Sequence, residues 1–199
     1  MMKIFKFYGG VHPEEAKVSS AVPIADAPLY PFYTVPLSMH IGAPARALVK
    51  AGDIVLRGQR IGEAASFVSA NIHSPTSGKV KSVGMCLGPA GTQLPCVVIE
   101  SDGEDKEAEP MQPLREWRAS DPQALRERVA AAGIVGMGGA AFPTPVELSI
   151  PPGKTIDTLI INGVECEPCL TADHRLMLEE PGMILEGISI AAKVLGVKN

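Results

Sequence analysis

Four glycines within seven positions constrain this chain more than any other feature of its sequence. They lie in the stretch GIVGMGGAAFPTPVEL, residues 133–148, at positions Gly133, Gly136, Gly138 and Gly139. Glycine weakens helices and strands alike, so this stretch, the glycine loop, is predicted to be irregular. Glycine also lacks the β-carbon that would keep a flat ligand or a phosphate away from the backbone amides. The loop therefore either receives a ligand or is a tight connector packed on a neighbouring segment.

The same letters satisfy a dinucleotide-binding fingerprint, G-x-G-x-x-A, at residues 136–141. That fingerprint requires a strand before the glycines and a helix opening from them. Here Asp121 and Pro122 predict a helix that leads into the loop and ends at Gly133, and Phe-Pro-Thr-Pro follows at residues 142–145. The usual geometry of the fingerprint is therefore not expected. No Gly-Lys-Ser/Thr follows either, so the loop is not a P-loop.

Composition favours a soluble globular protein of a reducing, cytoplasmic compartment. The chain has 199 residues, 46% hydrophobic and 20% charged, with a net charge of -4 and no basic tract, so nucleic acid is not an expected partner. The N-terminus has no apolar stretch of signal-peptide length, and the four cysteines form no short disulfide framework. An uncharged run at residues 129–146 reaches membrane length, but its glycines and prolines would leave backbone groups unsatisfied in lipid. No membrane-spanning segment is expected.

Residues 35–100 are predicted to form an all-β module of hairpins, after an N-terminal segment at residues 1–34. Short β-type runs alternate there with closely spaced turn candidates, which favour antiparallel hairpins over a parallel sheet. The turn candidates are Ala51-Gly52-Asp53, Gly58-Gln59, Gly62 and Ser77-Gly78. Residues 101–120 are dense in charge and proline, without sustained periodicity, and are predicted to be a solvated linker.

Residues 121–199 are predicted to form an incomplete α/β domain. The apolar run at residues 159–161 predicts a strand buried on both faces. A helix capped by Thr171 and running to about Glu180 follows, and a second helical stretch ends at Gly196. A mononucleotide-binding fold needs several parallel strands, so we expect the chain to stop inside a larger domain, unless short strands elsewhere complete a small sheet.

A polar segment, the acidic turn at residues 162–167, follows the predicted strand at the edge where open α/β sheets bind ligands. The amide of Asn162 can donate and accept at the edge of a heterocycle. The carboxylates of Glu165 and Glu167 can accept from ribose hydroxyls or from a carboxamide. The alternative is a solvated turn with ordinary surface acids.

The cysteines do not predict a metal site. Cys166 and Cys169 have the C-x-x-C spacing of redox and metal sites, but they form a single pair, and two unrelated cysteines in a turn are the alternative. Cys86 and Cys96 are not spaced as a second pair. The histidines are scattered, without a second ligand at metal-like spacing.

Several motifs in a fixed order resemble a known family. They are GGVHP, HIGAPARALVKAGDIVLRGQRIGEA, HSPTSG, GIVGMGGAAFPT and INGVECEP followed by LTADHRLM, and together they extend over nearly the whole chain. In this order they resemble the RnfC family, the C component of the Rnf electron transport complex. The last two are more distantly similar to the NADH-oxidising flavoprotein of respiratory complex I, where GRGGAGFPTG and NADE.EP surround the flavin.

The resemblance implies an α+β protein of two domains. An N-terminal barrel-sandwich hybrid, like biotinyl and lipoyl carrier domains, would precede part of a Rossmann-like α/β domain that binds FMN and NADH. Carrier domains bear a lysine at a hairpin tip, which here falls near Ser66-Phe67-Val68, so no swinging arm is expected.

The resemblance also implies a function and partners. The chain would be the NADH- and FMN-binding redox subunit of a membrane-bound, ion-translocating ferredoxin:NAD oxidoreductase, passing electrons between NADH and iron-sulfur centres via FMN. It would be peripheral, on the cytoplasmic side of the membrane, with the other subunits, NADH and indirectly ferredoxin as partners. Iron-sulfur clusters are implied only in a C-terminal region that these residues lack, and the isolated chain is expected to be inactive. The alternative is a non-catalytic docking or assembly module without bound cofactor.

Carried over to this sequence, the family pattern implies eight cofactor-binding residues and no catalytic or metal-binding residue. The glycines and Ala140 would line the flavin, Phe142 would stack on it, and the two glutamates would orient flavin and NADH, because the flavin itself carries the hydride chemistry. Two positions depart from the pattern: Glu147 stands where relatives commonly have Lys, and Val164 where the complex I pattern has Asp. The eight residues are Gly136, Gly138, Gly139, Ala140, Phe142, Asn162, Glu165 and Glu167.

Overall fold

The β module consists of short strands whose pairings all run antiparallel. The computed structural model describes residues 9, 11, 14, 16–88 and 91–197 of the 199. Within them the strands are β1 (Phe32–Pro36), β2 (Arg46–Ala47), β3 (Ile54–Val55), β4 (Arg60–Glu63), β5 (Ile72–His73), β6 (Gly78–Leu87) and β7 (Gln93–Ser101). One sheet has the order β1-β7-β6-β3 and the other the order β2-β4-β5. The predicted module of antiparallel strands is confirmed.

The core of the module is built from alternating residues of its longer strands. On β7, Val97 and Ile99 are buried, and their partners across the sheet are Val35 of β1 and Val80 of β6. Alternate residues of a strand face the same side of the sheet, so one face of β7 supplies the core. Each such side chain contributes about 1.5–3 kcal/mol on burial. The buried cluster comprises Val35, Leu37, Ala45, Val55, Ile61, Ile72, Val80, Val97 and Ile99.

Glycines of the module serve turns at some positions and packing at another. Gly52 and Gly58 have positive φ, +94° and +81°, and lie in turns as predicted. The prediction of a turn at Gly62 is wrong, because Gly62 lies within β4. A β-carbon there would come 3.0 Å from Leu37 and 3.1 Å from Ile72, so a side chain would have to displace these core neighbours.

Helices follow the β module. In the part of the chain that the structure describes they are α1 (Pro122–Ala131), α2 (Thr144–Glu147), α3 (Ala172–Glu179) and α4 (Pro181–Leu195). The predicted start of α1 is confirmed, since the Asp121 side chain accepts from the N–H of Gln123 at 2.8 Å. The predicted stops are confirmed too: Gly133 and Gly196 have φ of +69° and +68° after the ends of α1 and α4. None of the described helices has the length and apolarity that crossing a bilayer would require.

The predicted strand at residues 159–161 is wrong. Residues 154–165 have no regular secondary structure, and Ile160 and Ile161 are 83% and 51% exposed. A strand persists through hydrogen bonds to a neighbouring strand, and no described residue pairs with this run. The acidic turn therefore follows an exposed, irregular segment.

The described residues form two compact units. The first is drawn from Ala27–Leu159 with Ser189–Asn199 and the second from Met1–Asp26 with Ile160–Ile188. The β module and the glycine loop belong to the first unit, and the acidic turn and α3 to the second. The predicted N-terminal segment, residues 1–34, lies partly outside the described residues.

The predicted linker makes contacts with the β module. The N–H of Arg57 donates to the carbonyl of Lys106 at 2.9 Å, and the Ser77 hydroxyl donates to Asp102 at 2.6 Å. Further along, Trp117 is buried. Much of this charged, proline-rich stretch is therefore held in the first unit.

Candidate functional site

The base of the glycine loop is packed against the β module. Gly133 has a φ of +69°, and a β-carbon there would come 2.4 Å from the carbonyl oxygen of Asn71. The side-chain amide of Asn71 donates to the carbonyls of Ala130 and Ala131, each at 3.2 Å, at the end of α1, where the Ala130 carbonyl also accepts from the N–H of Gly133. At its base the loop is therefore the tight connector that the sequence offered as one alternative.

The tip of the glycine loop, residues 137–141, has an open backbone at its two glycines, Gly138 and Gly139. The N–H of Gly136 donates to the carbonyl of Phe142 at 2.8 Å and closes the tip. A β-carbon built at Gly138 or Gly139 would meet no atom within 4 Å, and Gly139 has a φ of +98°. The tip therefore has the open backbone that the ligand-binding alternative requires.

The backbone amides of the tip are unpaired donors. No described residue accepts a hydrogen bond from the N–H groups of residues 137–141. Ala140 is exposed, Ala141 has a positive φ of +47°, and Phe142 is half-buried. Successive free N–H groups in such a turn suit an anion or the acceptor edge of a ring.

The acidic turn is exposed at two of its three predicted site residues. The side-chain oxygen of Asn162 accepts from the N–H of Val164 at 2.9 Å, a local turn typical of Asn. Asn162 and Glu167 are exposed, and among the described residues neither the Asn162 amide nitrogen nor the Glu167 carboxylate has a hydrogen-bond partner. These two side chains can therefore reach a ligand.

Glu165, in the same turn, is half-buried, and 9% of its side chain is exposed. Its Oε1 accepts from the N–H groups of Asp173 at 3.0 Å and His174 at 3.4 Å, and its Oε2 accepts from Lys17 Nζ at 3.0 Å. Burial alone would raise the pKa of Glu165, but the hydrogen bonds and charge of Lys17, together with the two amides, lower it below its usual value. The protein itself therefore holds Glu165 as an ion.

Glu165 takes the capping role that the sequence assigned to Thr171. The helix begins where predicted, but Thr171 makes no side-chain cap, and its hydroxyl lies 2.7 Å from that of Ser19. The Glu165 carboxylate binds the first amides of α3, where a negative charge is favoured. Sequence analysis missed Lys17 and Ser19 because they lie 148 and 152 positions from their partners, and no local pattern marks them.

A cavity of about 300 Å³ lies in the first unit, away from the predicted cofactor residues. Phe67 and Ala70 of the β module, Arg126 and Ala130 of α1, Gly133 and Val146 are among its walls. Phe67 is 72% exposed and brings no amine to the hairpin tip. None of the eight predicted cofactor residues lines this cavity.

The four thiols differ in exposure. Cys166 and Cys169 are exposed, whereas Cys86 and Cys96 lie two positions out of register on the paired strands β6 and β7. Burial, together with the neighbouring Cys86 thiol, raises the pKa of Cys96 to about 11, so it stays neutral. Within the described ranges, no three His, Cys, Asp or Glu side chains are arranged to hold a metal ion.

Two family models match this chain. The RnfC Barrel sandwich hybrid domain matches residues 5–104, and the Nuo51 FMN-binding domain matches residues 129–199. The β module lies in the first range, and the glycine loop and the acidic turn lie in the second. The predicted order of a barrel-sandwich hybrid followed by part of a nucleotide-binding domain is thereby confirmed.

Curated relatives match nearly the whole chain. It is 46% identical to the C component of the ion-translocating oxidoreductase complex of Rhodobacter capsulatus, over 99% of the chain and 38% of that relative. The C component of the Na(+)-translocating ferredoxin:NAD(+) oxidoreductase complex of Acetobacterium woodii is 44% identical, over 96% of the chain and 44% of that relative. The proton-translocating counterpart of Clostridium ljungdahlii is 43% identical, over 100% and 43%. The chain thus spans about two fifths of the length of these relatives. Because the barrel-sandwich match alone extends over half of its residues, the chain belongs to the RnfC family.

Proposed function

We propose that this chain is the FMN- and NADH-binding part of a redox subunit in an ion-translocating ferredoxin:NAD oxidoreductase complex. In that complex it would pass electrons between NADH and iron-sulfur centres via FMN, as a peripheral subunit on the cytoplasmic side of the membrane. The names of the relatives and the match to an FMN-binding domain support this proposal. The other subunits, and ferredoxin indirectly, are the proposed partners.

The observation that carries the proposal is the row of free amides at the tip of the glycine loop. FMN has an anionic phosphate and a ring edge of acceptor atoms, and both need donors. The N–H groups of residues 137–141 have no acceptor among the described residues, and open space surrounds Gly138 and Gly139. This backbone fits such a group because the ligand can approach without meeting a β-carbon. On these free amides we assign Gly138, Gly139 and Ala140 to FMN, and we include Gly136, whose N–H donates to Phe142, on the family pattern.

The remaining predicted residues have separate proposed roles. Phe142, half-buried next to the tip, offers a ring for stacking, and Asn162 offers its free amide nitrogen to the flavin. The exposed Glu167 carboxylate would accept from the ribose hydroxyls or the carboxamide of NADH. We include Glu165 in the site on the family pattern, without assigning it a contact with either partner. FMN supplies the hydride-accepting chemistry when bound, and these residues bind and orient the two partners.

FMN titration of the purified chain, followed by quenching of flavin fluorescence, tests this function. The chain should bind FMN saturably, and Gly138→Val should weaken binding by at least about tenfold, equivalent to about 1.4 kcal/mol, because its side chain would cover the free amides. The matched control is Gly84→Val on β6, where a β-carbon also meets nothing within 4 Å. That variant should bind like the unsubstituted chain. A chain that binds no FMN at all would favour the docking module instead.

A further inference from the structure

Residues 17–24, here called the N-terminal strap, are bound along the length of α3. The contacts run from Thr171, which precedes the helix, to Glu179, its last residue. They are Ser19 Oγ with Thr171 Oγ1 (2.7 Å), Ser20 O with Arg175 Nη1 (3.1 Å) and Ile24 N with Glu179 Oε1 (3.1 Å). Strap and helix belong to the same compact unit. The strap is therefore part of the scaffold that carries the acidic turn.

Lys17, the first residue of the strap, joins three points at the start of α3. Its Nζ donates to the Glu165 carboxylate at 3.0 Å and to the carbonyls of Glu167 and Leu170. An ammonium group has three N–H donors, so this cluster uses all of them. Only 32% of the Lys17 side chain is exposed, against 85% for Lys50 in a surface ion pair of the same 3.0 Å length. Lys17 is built into the fold and is not a mobile surface charge.

The carboxylate of Glu165 has little capacity left for a ligand. It already accepts three hydrogen bonds, from Lys17 and from two amides of α3, and only 9% of the side chain is exposed. A carboxylate has about four acceptor sites, so a ribose hydroxyl is left with one, on a side chain that is only 9% exposed. The carboxylate of Glu167, by contrast, is exposed. Only the backbone carbonyl of Glu167 accepts from Lys17, at 3.4 Å. The lysine thus fixes the backbone of Glu167 and leaves the side chain free.

We propose that Lys17 is a positioning residue of the cofactor site, which locks Glu165 as the cap of α3 and so fixes the backbone that presents Glu167 to NADH. Glu165 acts through this lock and does not touch the cofactor. The family pattern treats the two glutamates alike, whereas the geometry separates them into a contact residue and a positioning residue. The inference rests on the proposed function for its ligand, but the lock is a property of the protein without cofactor.

A double-mutant cycle in the full chain tests the lock in the absence of cofactor. Lys17→Met and Glu165→Gln should each speed amide exchange at Asp173 and His174 by roughly fivefold, the effect of losing a helix cap. The double variant should exchange no faster than the faster single variant, because both remove the same interaction. Lys17→Arg should retain the protection of the Asp173 and His174 amides. Lys50→Met, the matched control, removes an exposed ion pair and should leave their exchange unchanged. Unchanged exchange in Lys17→Met overturns the lock.

NADH titration of the same variants tests the positioning role. Glu167→Gln should weaken binding while leaving exchange at Asp173 and His174 normal. Lys17→Met and Glu165→Gln should weaken NADH binding by a similar, non-additive factor. A loss in Glu165→Gln that far exceeds the loss in Lys17→Met overturns the inference, because Glu165 would then touch the ligand. An unsubstituted chain that binds neither FMN nor NADH overturns the proposed function, and the exchange experiment still decides the lock.

Discussion

The tip of the glycine loop and the acidic turn hold most of the predicted cofactor residues. Their polar groups differ in whether the protein itself supplies hydrogen-bond partners. The tip amides, residues 137–141, have no acceptor among the described residues. The side chain of Glu165, in the acidic turn, is only 9% exposed and accepts from three donors. A buried charge must be paired because leaving it alone is costly, whereas exposed amides are satisfied by water until a ligand arrives. Similar motif evidence thus leads to unpaired backbone amides in one region and to a carboxylate paired within the protein in the other.

The largest effect is expected at the base of the glycine loop, where the loop itself is scaffold. Gly133→Ala forces a φ of +69° on alanine and brings its β-carbon to 2.4 Å from Asn71, so the free energy of unfolding should fall by about 2–4 kcal/mol. Gly138→Ala is the matched control at the tip, where a β-carbon would meet no atom within 4 Å. It should change the free energy of unfolding by less than about 0.5 kcal/mol. Urea unfolding measures both. Equal losses would mean that the tip is packed as tightly as the base.

A smaller effect is expected when the pH is lowered and the carboxylates of Glu165 and Glu179 take up protons. Burial alone would raise the pKa of Glu165, but Lys17 and the amides of α3 lower it, and Arg175 with the N–H of Ile24 lowers the pKa of Glu179. Because both folded-state pKa values lie below the usual 4.5, these groups stabilise the unit above that pH, and the stabilisation is lost as the pH falls through the folded values.

Amide exchange of the first turn of α3 measures this loss. After correction for the intrinsic pH dependence, exchange at Asp173 and His174 should rise several-fold between about pH 5 and about pH 3. The amides of residues 137–141 should be unprotected at both pH values. Protection of α3 that survives acid unchanged would contradict an ionic lock.

The smallest effect is expected at Glu147, which stands where relatives commonly have Lys. Glu147 is exposed at the end of α2, so Glu147→Lys should tighten FMN binding by only about fivefold at low salt, and the gain should fade as salt is added. Glu109→Lys makes the same change of net charge at an exposed position of the predicted linker and is the control. An equal gain in both variants would attribute the effect to net charge and not to the glycine loop.

The sequence predicted those parts of the fold that depend on neighbouring residues. Asp121 and Pro122 start α1, Gly133 ends it, and the positive φ of Gly52 and Gly58 makes the turns of the β module. Each of these features is decided within a few residues, where capping groups and glycine act. The two candidate binding elements were also located from short motifs.

What the sequence could not predict depends on partners far along the chain. The apolar run at residues 159–161 has the composition of a strand, but no described residue pairs with it. The turn predicted at Gly62 failed because Leu37 and Ile72 pack over a glycine within β4. Likewise nothing near Lys17 indicates that it binds a carboxylate 148 positions away. The positions of glycines and lysines in the sequence do not by themselves show whether those residues pack within the protein or bind a ligand.

The central claim is that the free amides at the tip of the glycine loop bind FMN. Measuring amide exchange across the chain with and without FMN tests it most directly. We expect the amides of residues 137–141 to exchange freely in the unliganded protein and to become at least about tenfold slower at saturating FMN. Asp173 and His174 should be protected in both conditions, because Glu165 already binds their amides. Tip amides that are protected without FMN, or FMN protection confined to the cavity walls around Phe67, would contradict the account.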